Sequence, residues 1–92
     1  MVLLDLIGRR MALRIIWELS RAAEPLTFRE LQTAAETNPS VLNSRLRELR
    51  EARIVERAAD GYVLTSQGLS LLSTLWPLQA WADAWAAKAR DP

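Results

Sequence analysis

The chain contains no cysteine and no histidine. Without cysteine there are no disulfides, no thiol redox sensing and no thiolate metal site. Without histidine the commonest general base and the commonest transition-metal ligand are missing. Lysine is nearly absent as well. Of the twelve basic residues eleven are Arg, and only Lys88 is Lys. What remains for catalysis is carboxylate chemistry or an Arg, Lys, Ser, Thr or Tyr mechanism. No nucleophile–base constellation and no glycine-rich phosphate loop accompanies those residues. The absences argue against an enzyme and for a binding module that needs no cofactor and no metal.

What is present fits a folded domain. Half of the 92 residues are apolar and a quarter are charged, an ordinary globular balance. The length suits one domain over residues 1–92, with a thin core. The net charge of +1 is too small to draw the chain to nucleic acid by itself. Its distribution says more. Residues 38–57 hold Arg45, Arg47, Arg50, Arg53 and Arg57 against Glu48, Glu51 and Glu56. Residues 6–16 hold Arg9, Arg10 and Arg14 and no acid. Arg, unlike Lys, forms two-pronged contacts with phosphate and guanine. The opening residues lack the positive flank of a signal peptide. The charge-free run from Gly61 to Ala82 carries too many Ser, Thr and Gln side chains, with Pro77, for a membrane span. A soluble, cytoplasmic chain with no membrane partner is the expectation.

Four helical segments and one hairpin are legible. Met11, Ile15 and Leu19 recur at steps of four and predict an amphipathic helix over 9–22. Residues 2–7 read as a helical turn or arm leading into it. Glu24-Pro25 ends it. Thr27-Phe28-Arg29-Glu30 reads as a capping box, with each end residue bonding the other's backbone N–H. A second helix follows to about Glu36. Asn38-Pro39 starts a third, with Asn as cap and Pro in the first turn. It runs to about Ala52, with Leu42, Leu46 and Leu49 as its apolar stripe. Ile54–Arg57 and Tyr62–Thr65 then read as strands around Asp60-Gly61, a preferred hairpin-turn pair. Leu26 is a candidate third strand. Thr65 or Ser66 caps a last helix to about Ala89, in which Pro77 is expected to produce a kink or break. Two short helices joined by a tight turn form a helix-turn-helix, here 27–52. The hairpin over 54–65 makes it winged, and the last helix occupies 66–89.

These residues resemble the HxlR-type winged helix-turn-helix transcription regulators, relatives of the MarR and PadR types, over about residues 4–82. The stretch from Leu6-Ile7-Gly8 through Ile15-Ile16 is similar to the family's opening motif. Phe28-Arg29-Glu30-Leu31, the run Pro39 to Leu49, and Ile54 to Arg57 with Tyr62 to Thr65 and Gly68 follow in the family's order. Leu71, Leu72, Leu75, Leu78 and Trp81 match the spacing of its last helix. The resemblance implies an α+β, mainly α, winged helix-turn-helix with a two-stranded hairpin wing and a long C-terminal dimerisation helix. It implies a homodimer built from the first and last helices, bound to double-stranded DNA. The departures are informative. An N-terminal Cys that some members use to sense oxidants is absent. Met11 replaces a usual Trp, Arg53 stands where a helix-ending Gly is common, and the wing tip is short and carries Asp60.

The third helix is the candidate reading element. With its Leu stripe inward, the ~100° turn per residue points Ser40, Ser44, Arg47 and Glu51 outward, with Asn43 and Arg50 beside them. The N-terminal part of that face is polar and free of acid, as entry into a major groove requires. Asn can pair with adenine and Arg with guanine. Asn38, Ser40, Asn43, Ser44, Arg45, Arg47 and Arg57 are therefore the candidate DNA contacts, with Arg45 and Arg57 on phosphate. Arg9, Arg10 and Arg14 either meet phosphate too or merely solvate the first helix. Glu48 and Glu51 are expected to pair with Arg on their own helix. Leu75, Leu78, Trp81 and Trp85 on the last helix are the candidate dimer interface, or line a pocket for a small aromatic effector. The expected function is a sequence-specific DNA-binding repressor reading a palindrome. The alternative is a winged-helix protein-interaction or assembly module.

Overall fold

The computed structural model describes residues 2–90. The elements follow in the order α1 (Val2–Ile7), α2 (Ala12–Arg21), α3 (Phe28–Ala35), α4 (Pro39–Glu51), β1 (Val55–Ala58), β2 (Gly61–Leu64) and α5 (Ser66–Arg90). This is the winged helix-turn-helix architecture, mainly helical, with a two-stranded wing and a long last helix.

Local chemistry explains most of the boundaries. The Thr27 hydroxyl accepts from the Glu30 N–H at 3.1 Å, and the Glu30 carboxylate accepts from the Thr27 N–H at 2.9 Å. The capping box of α3 is complete. The Thr27 backbone N–H, and then its side chain, hold the Glu30 carboxyl below the ordinary glutamate range. Asn38 caps α4, its Oδ1 accepting from the Val41 N–H at 2.9 Å, and Pro39 fills the first turn. The end of α4 is a reversal. Arg53 takes φ 61, and the Ile54 N–H returns to the Leu49 carbonyl at 2.9 Å. A left-handed backbone there would suit glycine, and a side chain costs about 1 kcal/mol.

The first long helix begins later than its pattern implies. Residues 9–11 form a turn that ends at Met11, with φ 73, and α2 starts at Ala12 rather than Arg9. Residues 2–7 form a separate short helix. Apolar spacing continues across this turn and conceals it from a periodicity argument.

The wing is antiparallel, pairing Val55 with Leu64, Glu56 with Val63, Arg57 with Tyr62 and Ala58 with Gly61. The turn residues are therefore Ala59 and Asp60, not Asp60 and Gly61. Gly61 has a different task. Leu26 pairs with Tyr62 through hydrogen bonds of 3.1 and 2.7 Å, forming the expected third strand as a single bridge. This brings the Leu26 carbonyl against Gly61, where any Cβ would overlap it, and Gly61 itself takes φ 146.

The core lies between α2, α3, α4 and the wing. Ile15, Ile16, Leu31, Leu42 and Leu49 have no solvent exposure, and Leu46, Ile54 and Val55 have almost none. Each buried aliphatic of this size contributes roughly 1.5–3 kcal/mol. Helix α5 reaches the core through its first turns. Gly68 is its one buried residue among those described, and a Cβ there would overlap the Ile54 carbonyl. Leu71 and Leu72 pack beside it. The helix is uninterrupted through Pro77, so the expected break does not occur. Pro77 withdraws one donor, and the carbonyl left over belongs to exposed Ser73, where water can satisfy it. At 25 residues α5 is about 37 Å long. The radius of gyration of 14.1 Å exceeds the ~12 Å of a compact chain of this length, so the molecule is elongated. Among the described residues no helix is long and apolar enough to cross a membrane.

Candidate nucleic-acid interface

Helix α4 presents two unlike sides. Leu42, Leu46 and Leu49 fix the buried side. Ser40, Asn43, Arg47 and Arg50 are exposed on the other, while Ser44 is half-buried. Among the described residues Arg47 and Arg50 make no ion pair, so both guanidinium groups are available. Asn38 is exposed, but its side-chain oxygen is committed to the Val41 N–H as helix cap. Its contribution to an anion is the helix start it stabilises, where free N–H groups and the positive dipole end face outward.

A groove separates α4 from the wing and is lined by Arg47, Arg50, Glu51, Val55, Glu56 and Arg57. Arg57 lies opposite Tyr62 in the ladder, and its guanidinium sits 5.8 Å from the Tyr62 ring centroid. That cation–π contact holds an exposed charge beside the groove. Arg50 was legible in the sequence only as a flanking residue, and the groove is what gives it a place.

Three other Arg residues prove to be engaged within the chain. Arg14 binds Glu18 at 3.2 Å and donates to the Ala34 carbonyl at 2.9 Å. It ties α2 to the end of α3 rather than merely solvating its own helix. Arg45 is largely buried and paired with Glu48 on its own helix. Glu48 also binds Arg9, at 2.9 Å, from the turn between α1 and α2. Arg45 therefore does not stand free as a phosphate ligand in this state. Arg10 is exposed.

The last helix carries the second candidate surface. Leu75 is half-buried, whereas Leu78, Trp81 and Trp85 are more than half exposed. The Trp81 and Trp85 rings stack in parallel, 6.3 Å apart. A different aromatic pair joins α5 to the body. Trp76 stacks on Trp17 of α2 at 5.1 Å, with Arg21 over the Trp17 ring. Sequence carried no signal for this pair, because the two residues belong to helices at opposite ends of the chain. Next to it a half-open groove of about 350 Å³ runs between α2 and α5, walled by Leu13, Ile16, Trp17, Leu72, Leu75 and Trp76 among others.

Comparison with known proteins agrees with this architecture. Residues 6–90 match the sequence model of the HxlR-like helix-turn-helix family. No curated protein matches the chain. The crystal structure of quinone-bound YodB from B. subtilis is similar at 35% identity, covering 88% of this chain and 91% of that one, with a TM-score of 0.78. A possible HxlR family transcriptional factor from Thermoplasma volcanium GSS1 superimposes with a TM-score of 0.82, covering 91% of this chain and 81% of that one. Its 23% identity speaks for the fold alone. With the family model spanning nearly its whole length, the chain belongs to the HxlR-like helix-turn-helix family, whose members are DNA-binding transcription regulators and not enzymes.

Proposed function

We propose that the chain is a sequence-specific DNA-binding homodimer, acting in the cytoplasm as a repressor, that reads a palindromic site with α4 in the major groove. The observation that carries this reading is the exposed, acid-free face that runs from Ser40 and Asn43 near the start of α4 to Arg47 just past its middle. Side chains there reach base edges when such a helix docks. Arg50 and Arg57, beside the wing groove, suit the phosphates that flank it. Selection of bound duplexes from a random pool at moderate salt tests the proposal. A palindromic consensus is expected, and Arg47→Ala should relax base choice at one position by about ten- to hundredfold. Absence of enrichment, with no duplex retained even in dilute salt, overturns it and leaves a protein-interaction module.

The partner in the dimer is a second copy docked along α5. Leu71, Leu75, Leu78, Ala82, Trp85 and Ala89 recur at alternating steps of four and three, the spacing of a helix–helix seam. A two-fold arrangement would set two α4 helices about 34 Å apart, one DNA turn. The groove beside Trp17 and Trp76 suits a flat aromatic effector, and the quinone-bound state of YodB supports a ligand of that kind. With no cysteine in the chain, such a ligand would be held without a thiol bond. A saturable change in Trp fluorescence on titration with a quinone is the expected result.

A further inference from the structure

Two grooves border α4, and they differ in charge. The wing-side groove holds Arg47, Arg50 and Arg57 against Glu51 and Glu56. The groove on the other side, facing α1 and the turn after it, holds Arg9 among Asp5, Glu48 and Glu51. A helix lying in a major groove has a phosphate backbone on each side of it. The wing side is built to receive one of them. The α1 side has basic residues for the other, Arg9 and Arg45, but an acid of the chain itself already occupies both.

We propose that Arg9 and Arg45 form a second phosphate-binding surface that Glu48 masks, its carboxylate standing where a DNA phosphate would bind. The inference rests on the DNA-binding reading above. The geometry is that of an anion shared by two guanidinium groups. One Glu48 oxygen meets Arg9 Nε at 2.9 Å, and the other meets Arg45 Nη1. The two Arg residues come from separate elements, the α1–α2 turn and α4, and converge on this one carboxylate. The match is incomplete, because Arg45 Nε is buried with no hydrogen-bond partner among the described residues. A buried donor without an acceptor is costly, so the Arg45 guanidinium is not fully satisfied by Glu48. The Arg9 contact is a poor candidate for a fold stabiliser, since the Arg9 side chain is 55% exposed and an ion pair so open to water adds little. The Arg45 contact is less open, its side chains 17% and 25% exposed. The larger effect of the two contacts falls on DNA affinity, since each phosphate that a guanidinium neutralises is read directly in the salt dependence.

The test compares Glu48→Gln with Glu51→Gln, each in the full chain, by fluorescence anisotropy on a labelled duplex of arbitrary sequence across a salt series. Both variants remove one negative charge from α4. Only the first releases Arg9 and Arg45, because Glu51 is exposed and makes no ion pair among the described residues. Glu48→Gln is expected to tighten binding about tenfold or more at low salt. It should steepen the slope of log affinity against log salt by about one to two per protomer, at ~0.9 per phosphate. Glu51→Gln should give the smaller change in slope. Adding Arg9→Gln to Glu48→Gln should remove about one unit of that steepening. Base preference in a selection experiment should stay that of the parent chain, since phosphate contacts carry no sequence information. Equal slopes for the two Glu variants, or a steepening that survives Arg9→Gln, overturn the mask while the parent chain still binds DNA. Failure of the parent chain to bind any duplex overturns the DNA-binding reading itself.

Discussion

Residues 12–64 and helix α5 carry similar apolar side chains and dispose of them differently. In the first region Ile15, Ile16, Leu31, Leu42 and Leu49 lose all contact with solvent. On α5, Trp76, Leu78, Trp81 and Trp85 keep more than half of their surface exposed. Three helices and a hairpin approach the first core from different directions and close it. A single long helix meets that core through its opening turns and meets α2 again where Trp76 stacks on Trp17, while Trp81 and Trp85 farther along it stay exposed. Apolar content alone therefore does not locate the core. Exposed aromatic surface concentrated on one element marks where a partner is needed.

Mutation can break this contrast at either end. The largest effect is expected in the closed core, where Leu42→Ala should cost about 2–5 kcal/mol through lost burial and a residual cavity, measured by chemical denaturation. That is a large fraction of the stability of a domain this small. On α5 the outcome should differ in kind. Replacing Trp81 and Trp85 together with Ala should weaken self-association by about thirtyfold or more, read by sedimentation as a shift towards monomer. Helix content at high protein concentration should be retained. A loss of folding as deep as that of Leu42→Ala would mean that the two regions are one core.

Smaller tests sharpen the picture of how the first region holds its shape. Thr27→Ala should destabilise by about 1 kcal/mol through loss of the α3 cap. The same cap has a pH signature. The Glu30 carboxyl is held below its ordinary range by the Thr27 N–H, so the folded state favours the ionised form. Its contribution is present above the unfolded-state value and disappears as pH falls through the lower folded value. Thermal melts of the parent chain and Glu30→Gln should therefore differ less in that acid range than at neutral pH. The smallest effect is expected from Arg53→Gly, which relieves the left-handed backbone at φ 61. It should stabilise by up to about 1 kcal/mol, less the entropy a glycine adds to the unfolded chain.

The legible parts of the molecule were those governed by neighbouring residues. Thr27 and Glu30, Asn38 and Pro39, and the Leu stripe of α4 each act within one or two helical turns, and each stands where its pattern places it. The misread parts were those where a distant segment decides. Apolar spacing ran through the turn at Met11, and the Asp60-Gly61 pair is displaced by one residue because Leu26 needs a glycine beside its carbonyl. The candidate site divides along the same line. Exposure of Ser40, Asn43 and Arg47 follows from the helix period. The engagement of Arg14 with Ala34, and of Arg9 with Glu48, required elements remote in the chain to meet, whereas Arg45 and Glu48 pair within one turn of α4, as the helix period allows.

By itself the sequence determined the class of chemistry open to this protein, the order of its elements and the outward face of α4. Composition and helical period are local properties and survive any packing. Tertiary structure alone decided which Arg side chains stand free, how the wing meets Leu26, and that Trp17 finds Trp76. Those outcomes depend on distances between segments, which hydrogen-bond geometry and core closure set only once the whole chain has folded.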